Sequence, residues 1–329
     1  MTDKNEIMSA IANAGRIGIA GHIHPDGDCI GSCLGLYNYI TANYSCRCDV
    51  YLEEIPQCFR CIAGCDVVNS SYPDAEPYDV FFALDCGDID RLGKAEKYLK
   101  NAVLSFCIDH HGTNTGYADR NIIKPDAAAC AELLYDLLEP EKFNHDSAEA
   151  LYLGIVHDTG VFKHSNTTRH TMETAGKLLE YGVSSSKIID GTFYEKTYLQ
   201  NQILGRCLME SILMLDGKVI ISAVNRKVQA LYGLEPSDTE GIIDQLRVTK
   251  GVEVAVLIKE MNPQVWRVSM RSCEYVDVAS ICSKFGGGGH VRASGCVING
   301  SMHDVINALT KEIDLKLASA RECPDTNNL

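Results

Sequence analysis

Two nearly continuous apolar runs limit what this chain can become. Residues 78–84 (Tyr-Asp-Val-Phe-Phe-Ala-Leu) and 103–108 (Val-Leu-Ser-Phe-Cys-Ile) are short for helices and too apolar for strands with one wet face. Runs of this kind are strands covered on both faces, the environment of a parallel sheet. A third run, Ile17 to Ala20, passes through a loop into a pattern with Ile30, Cys33, Leu34, Tyr37 and Ile40 on one helical side. Strand, loop and helix in this alternation predict an α/β fold with a parallel sheet covered by helices.

Each of these strands ends in chemistry. The run from Ile17 opens into His22-Ile23-His24-Pro25-Asp26-Gly27-Asp28, residues 78–84 stop at Asp85, and residues 103–108 run into Asp109-His110-His111-Gly112. A helical run, Ser147 to Val156, closes in His157-Asp158-Thr159-Gly160. One acid after a strand is commonly a turn or helix cap. Four such deliveries, three at the carboxyl ends of strands, point instead to one site.

His22, Asp26, Asp28, Asp85, His110 and Asp158 offer oxygen and imidazole donors without thiolate, which suits Mn(II), or Fe, Co or Zn, better than calcium. The set is too large for one tetrahedral ion and fits two ions sharing a carboxylate. Asp85 is the expected bridge, with His22 and Asp26 on one ion and Asp28, His110 and Asp158 on the other. Two ions roughly 3.5–4 Å apart acidify a shared water and steady both oxygens of an in-line displacement, which predicts phosphoester or phosphoanhydride hydrolysis. Asp109 is expected to orient a histidine from behind, and His111 to contact a phosphoryl oxygen or help protonate the leaving group. A second reading of the histidine pair is one ligand and one structural hydrogen bond.

The chain has 329 residues, room for two domains with separate cores, and a formal charge of −14. That charge argues against a broad basic surface for long nucleic acid, while a short anionic ligand stays compatible with bound cations and a few local Arg or Lys. The N-terminus lacks a basic start followed by an apolar core, and no apolar run reaches membrane-spanning length, so a cytoplasmic protein is expected. Fifteen cysteines are then read as reduced thiols that pack as small apolar groups. Cys58, Cys61 and Cys65 resemble a ligand cluster, but no second C-x-x-C or His pair follows at zinc-finger spacing.

Further along, Ile7, Met8 and Ile11 mark an amphipathic first helix, and residues 48–52 a short strand. Asp126 is expected to cap a helix over 127–138, and Asp146 with Glu149 to form a capping box. The helix over 168–181 should turn Met172, Ala175, Leu178 and Leu179 inward and stop at Gly182. Near residue 190 the pattern changes to a polar helical connector, followed by strands at 218–224, 252–259, 265–270 and 296–298 and helices at 239–246 and 302–317. This predicts a second, smaller α+β domain.

Within it lies Phe285-Gly286-Gly287-Gly288-Gly289-His290. Four glycines cost of order 0.5–1 kcal/mol each relative to Ala, so a plain linker is a poor account of them in mid-domain. Their unhindered N–H groups can form an anion-binding nest flanked by His290; a glycine hinge or hairpin turn is the other reading. Arg271-Ser272 is a second candidate for phosphate contact, whereas Arg267 and Arg247 read as surface charges.

These motifs resemble those of the DHH phosphoesterase superfamily: His22 to Ser32, Asp85, Asp109-His110-His111 and Asp158-Thr159-Gly160 in order, then a GGGGH loop. The resemblance implies a parallel-sheet catalytic domain (1–190), a helical linker (191–210) and a glycine-loop substrate-binding domain (211–329), with a di-manganese site in the cleft between the domains. It implies an enzyme similar to the small bacterial members that degrade nanoRNA such as pApA to mononucleotides and remove the 3′-phosphate of pAp. Relatives that hydrolyse cyclic di-AMP or pApA, or a non-catalytic RNA- or nucleotide-binding protein, are the alternatives. Short RNA and nucleotides are the implied partners, with no long duplex and no membrane, and a homodimer is within what the resemblance implies. Cys29 and Cys86, beside ligand positions, are the departures and bear on metal choice.

Overall fold

The computed structural model describes residues 2–322 and divides at Glu195/Lys196 into two units. The first contains α1 (Thr2–Asn13), β1 (Arg16–Ala20), α2 (Gly27–Asn43), β2 (Arg47–Tyr51), β3 (Val80–Leu84), α3 (Glu96–Asn101), β4 (Leu104–Asp109) and β5 (Arg120–Ile123). Four helices follow: α4 (Cys130–Leu137), α5 (His145–Asp158), α6 (Arg169–Leu179) and α7 (Ser185–Ile189). The strands form one parallel sheet in the order β2-β1-β3-β4-β5. The chain leaves β1 in opposite directions toward β2 and β3, and ligands of such sheets bind where the order reverses.

β3 is buried at every position, as its apolar run demands. One face of the sheet packs Ile19, Phe82 and Phe106 against α2 and α5; the other packs Tyr51, Tyr78, Phe81 and Tyr98. Register sets Ala20 beside Ala83 and Leu84 beside Ile108. The loops bearing His22, Asp85 and His110 therefore leave the sheet at one edge.

Several local expectations are corrected. Asp126 caps no helix: α4 starts at Cys130, and its cap residue Ala129 contributes no side-chain hydrogen bond. Its first N–H groups donate to Asp28, from Cys130 to Oδ2 (2.6 Å) and from Ala131 to Oδ1 (3.0 Å). The capping box of α5 pairs Asn144 with Ser147, two residues ahead of the expected Asp146 and Glu149. On α6, Ala175 and Leu178 are buried but Met172 and Leu179 are exposed, because the helix rests on the core along a narrow stripe. Gly182 does take the left-handed conformation (φ +83°) that ends this segment.

The second unit runs α8 (Tyr198–Met209), β6 (Ile212–Met214), β7 (Val219–Val224), α9 (Arg226–Tyr232), α10 (Ile242–Arg247), β8 (Val254–Asn262) and β9 (Val265–Ser272). It ends with α11 (Val278–Ser283), β10 (Gly288–His290), β11 (Ala293–Asn299) and α12 (Met302–Glu322). Its sheet has the order β10-β11-β9-β8-β7-β6, antiparallel except for β7 with β8. Helix α8, read as connector from its polar sequence, places Ile203 and Cys207 in a core with Ile220, Val224 and Leu246. The opposite face packs Val256, Val268 and Met270 on Ile281, Val305 and Leu309. The helix expected from residue 239 begins at Ile242, after a turn with Gly241 at φ +76°. Among the described residues no helix is long and apolar enough to cross a membrane.

Candidate metal centre and phosphate groove

At the sheet edge the side chains converge. His22 Nε2 lies 3.7 Å from Asp26 Oδ1 and 3.6 Å from Asp85 Oδ2. His110 Nε2 lies 3.4 Å from Asp85 Oδ1, 3.2 Å from Asp158 Oδ2 and 3.9 Å from Asp28 Oδ2. Asp85 thus stands between two histidines that reach it from opposite sides. Three sets have donor atoms within 4.8 Å of one another: His22 with Cys29 and Asp85, Asp85 with His110 and His111, and Asp28 with His110 and Asp158.

Backbone partners set the tautomers. His22 Nδ1 donates to the Ile23 carbonyl (2.8 Å) and His110 Nδ1 to the Ala127 carbonyl (3.3 Å), which turns both Nε2 atoms toward the acids. His111 Nδ1 donates to Asp109 Oδ1 (2.7 Å), and Asn114 Nδ2 donates to Asp109 Oδ2 (2.7 Å). Asp109 is thus hydrogen-bonded to the ring of His111. Asn114 carries no motif signal; it enters because the loop after β4 folds back onto the strand end, where it also reaches the Cys86 carbonyl at 3.2 Å.

Close packing builds the floor. A Cβ on Gly154 would lie 2.6 Å from both Asp28 Oδ1 and Ala131 Cβ. The missing side chain lets α5 approach α2 and α4 closely enough for Asp28 to sit between them. Asp28 accepts three hydrogen bonds there, including one from Ser32 Oγ at 3.1 Å.

The electrostatics describe a site that lacks positive charge. Burial, with Asp85 and Asp158 nearby, pushes Asp28 well above the usual carboxylate range. Burial likewise lifts Asp158 to about 6 despite His110. Burial opposes charge on His110, but the contact with Asp85 and the charges of Asp28 and Asp158 outweigh it and raise that ring to about 10. Burial also opposes charge on His22, which contacts with Asp26 and Asp85 overcome, so its pKa is raised. Asp85, though buried, is held low by His110 and His22. Protons are drawn to where counter-charge is missing.

The residues fit a divalent centre. Asp85 Oδ1 is buried without a hydrogen-bond donor, both histidine tautomers present Nε2, and the donor set is mostly oxygen and imidazole. His22, Asp26, Asp28, Asp85, His110 and Asp158 are brought together, and Cys29 joins them. His24 points elsewhere, its ring 3.2 Å from Glu53. His157 is packed between Phe59 and Phe193 and bonded to Thr192 Oγ1 at 2.9 Å. Cys58, Cys61 and Cys65 form no ligand group among the described residues.

In the second unit, Gly286 to Gly289 line a groove of about 760 Å³ together with Arg267, Ser269 and Arg271. A Cβ on Gly287 would lie 2.2 Å from the Gly295 carbonyl oxygen, and one on Gly289 2.7 Å from the Ala293 carbonyl oxygen. The glycine run is thus a hairpin edge and a groove wall at once. Three expectations need comment. Arg267 is exposed, as expected, but also lines the groove, because strand alternation puts residues 267, 269 and 271 on one face. Ser272 falls on the other face, buried and away from it, and His290 is exposed outside the lining.

Residues 16–155 match the DHH family, N-terminal domain, on the same stretch that carries most of the acids and imidazoles. The chain carries a DHH N-terminal domain. Residues 216–319 match the DHHA1 domain. The chain is 29% identical over 300 residues to a bifunctional oligoribonuclease and PAP phosphatase of Thermus thermophilus, covering 90% of this chain and 87% of that one. It is 28% identical over 302 residues to the protein of the same description from Bacillus subtilis, covering 90% and 93%. In fold it resembles an exopolyphosphatase-related protein from Bacteroides fragilis, with a TM-score of 0.85 at 20% identity and 95% and 96% coverage. This DHH protein is an α/β hydrolase that acts on phosphoester bonds and is suited to divalent metal.

Proposed function

We propose that this DHH protein hydrolyses very short RNA, such as pApA, to mononucleotides and removes the 3′-phosphate of pAp. The observation that carries the reading is Asp85, a buried carboxylate shared between His22 and His110 with one oxygen left without a donor. The names of the Thermus and Bacillus relatives supply the substrate class. When bound, two divalent cations held by His22, Asp26, Asp28, Asp85, His110 and Asp158 supply the charge that polarises the scissile phosphate and acidifies the attacking water. For the all-nitrogen-and-oxygen group Asp28, His110 and Asp158 the finer assignment is Mn(II).

The protein's own groups do the rest. Asp109, kept ionised through contacts with His111 and Asn114 that outweigh burial, holds the His111 ring by Nδ1 and raises its proton affinity. The ring then carries a proton at Nε2 for the leaving oxygen. Arg267 and Arg271 take a terminal phosphate or nucleotide in their groove, with Gly286 to Gly289 as its side-chain-free wall; the Gly286 and Gly287 N–H groups are already given to the Ser283 and Cys282 carbonyls. The enzyme is read as cytoplasmic and indifferent to long duplexes, in keeping with the charge of −14.

The test is release of AMP from pApA and of phosphate from pAp with Mn(II), Mg(II) or Co(II) after chelation. No metal-dependent release from either substrate ends this reading. Arg271→Ala and Arg267→Ala should each raise KM for pApA, with bound metal unchanged; unaltered KM removes the groove from the scheme.

A further inference from the structure

We propose that Cys29 supplies a sulfur donor to the cation at His22 and Asp85, so that the two halves of the centre prefer different metals. The inference rests on the two-cation reading. The His22 nitrogen, the Cys29 Sγ and an Asp85 oxygen lie within 4.8 Å of one another. With bonds of about 2.0–2.3 Å, opposite donors around one ion are at most about 4.6 Å apart, so a small side-chain adjustment closes the set.

Cys29 is fully buried in the first turn of α2, its sulfur 3.9 Å from the His22 carbonyl oxygen. It rests directly on Gly21, where a Cβ would come within 2.2 Å of the sulfur. The thiol is therefore held beneath His22 by packing.

Two further observations point to an ion there. Asp85 is buried almost completely, and the oxygen it turns to His22, Oδ2, stands 3.6 Å from the ring nitrogen, outside hydrogen-bond distance. Asp26, the carboxylate expected to complete this half, is 61% exposed, and its Oδ1 accepts the N–H groups of Asp28 (3.2 Å) and Cys29 (3.1 Å). One of its two oxygens is thus engaged in capping α2. Asp26 meets the ion from the solvent side, and the inward side falls to Cys29.

The other half, Asp28 with His110 and Asp158, offers no sulfur. Thiolate favours Zn(II), Co(II) and Fe(II) over Mn(II), whereas carboxylates accept Mn(II) readily. The His22 half should take the softer ion and the Asp158 half the harder one.

The experiment uses the full chain, stripped of metal and reloaded with Co(II). The wild type should show a near-ultraviolet sulfur-to-cobalt charge-transfer band that saturates with one of two equivalents. Cys29→Ala should lose the band and keep the visible cobalt absorption of a nitrogen-and-oxygen site. Dialysis against equal Mn(II) and Zn(II) should leave mixed metals in the wild type. The variant's preference for zinc should fall roughly tenfold or more, the scale of changes made around metal ligands. X-ray absorption of the zinc-loaded wild type needs no variant and should place sulfur at about 2.3 Å. A nitrogen-and-oxygen shell with pApA still cleaved overturns the role of Cys29 alone. A wild type that binds no cation overturns both this inference and the two-cation reading.

Discussion

Asp85 works from a backbone conformation that few residues tolerate. Its φ of +51° lies in the left-handed region, which costs an L-residue roughly 1–2 kcal/mol and is borne best by Gly, Asn and Asp. The strain turns the carboxylate out of the β3 direction toward both histidines. Asn shares the tolerance but not the charge. Asp85→Asn should therefore keep the circular dichroism spectrum and lose at least about a hundredfold in kcat for pApA, beyond the effect of an outer-shell change. Asn114 is such an outer residue: Asn114→Ala leaves buried Asp109 one donor short, which should cost about 1–3 kcal/mol of stability in chemical denaturation. It should also lower kcat with KM unchanged, since only the aim of His111 is lost. His157 titrates in a separate direction. Burial among aromatic rings lowers its pKa to about 4, against an ordinary 6.5. Above pH 6.5 both folded and unfolded states hold it neutral and its site carries no penalty. Between 6.5 and 4 only the unfolded chain takes the proton, so stability falls with pH, by about 3 kcal/mol at most. Asp158 and Asp28, raised in the metal-free site, shift stability the opposite way over the same range, so His157 is read as a difference: in denaturation of the chelator-treated protein, the wild type should lose more stability on acidification from 6.5 to 4 than His157→Gln.

At the scale of elements, the site depends on how closely helices approach. Helix α5 touches α2 and α4 through Gly154, and Asp28 fills the remaining space while capping α4. Gly154→Ala would drive a methyl into Asp28 and Ala131. The expected cost is about 1–3 kcal/mol, as for overpacking elsewhere. Because Asp28 has to move, isothermal titration should also show weaker cation binding, while a methyl on Gly176, which meets nothing on α6, should leave cation binding unchanged and raise stability by about 0.5–1 kcal/mol. The β10–β11 hairpin makes the corresponding demand in the second unit, where Gly287 and Gly289 leave no room for a side chain.

Across the whole molecule, two cores serve two separate tasks. The first unit holds every residue of the metal centre, and the second holds the arginine and glycine groove. A ligand that binds only one folded unit stabilises that unit, by about 2.7 kcal/mol at a hundredfold excess over Kd. Calorimetry should therefore resolve two transitions, of which Mn(II) raises one. A single transition raised as a whole would mean that the units unfold together.

Much of this was legible in one dimension. Unbroken apolar runs identify strands buried on both faces, and acids placed at their ends collect at one edge whatever the details of packing. Charged residues seldom end buried strands without purpose, so Asp85 and His110 stood out, and strand alternation would have revealed Arg267. Other features had no local signature. Asp28 caps a helix 102 residues away, Asn114 braces Asp109 across a loop, and Cys29 reaches His22 because Gly21 leaves space for its sulfur. Periodicity reports whether a position faces core or water. It does not report which distant group will be met there, and that partner was settled only when the helices closed over the sheet.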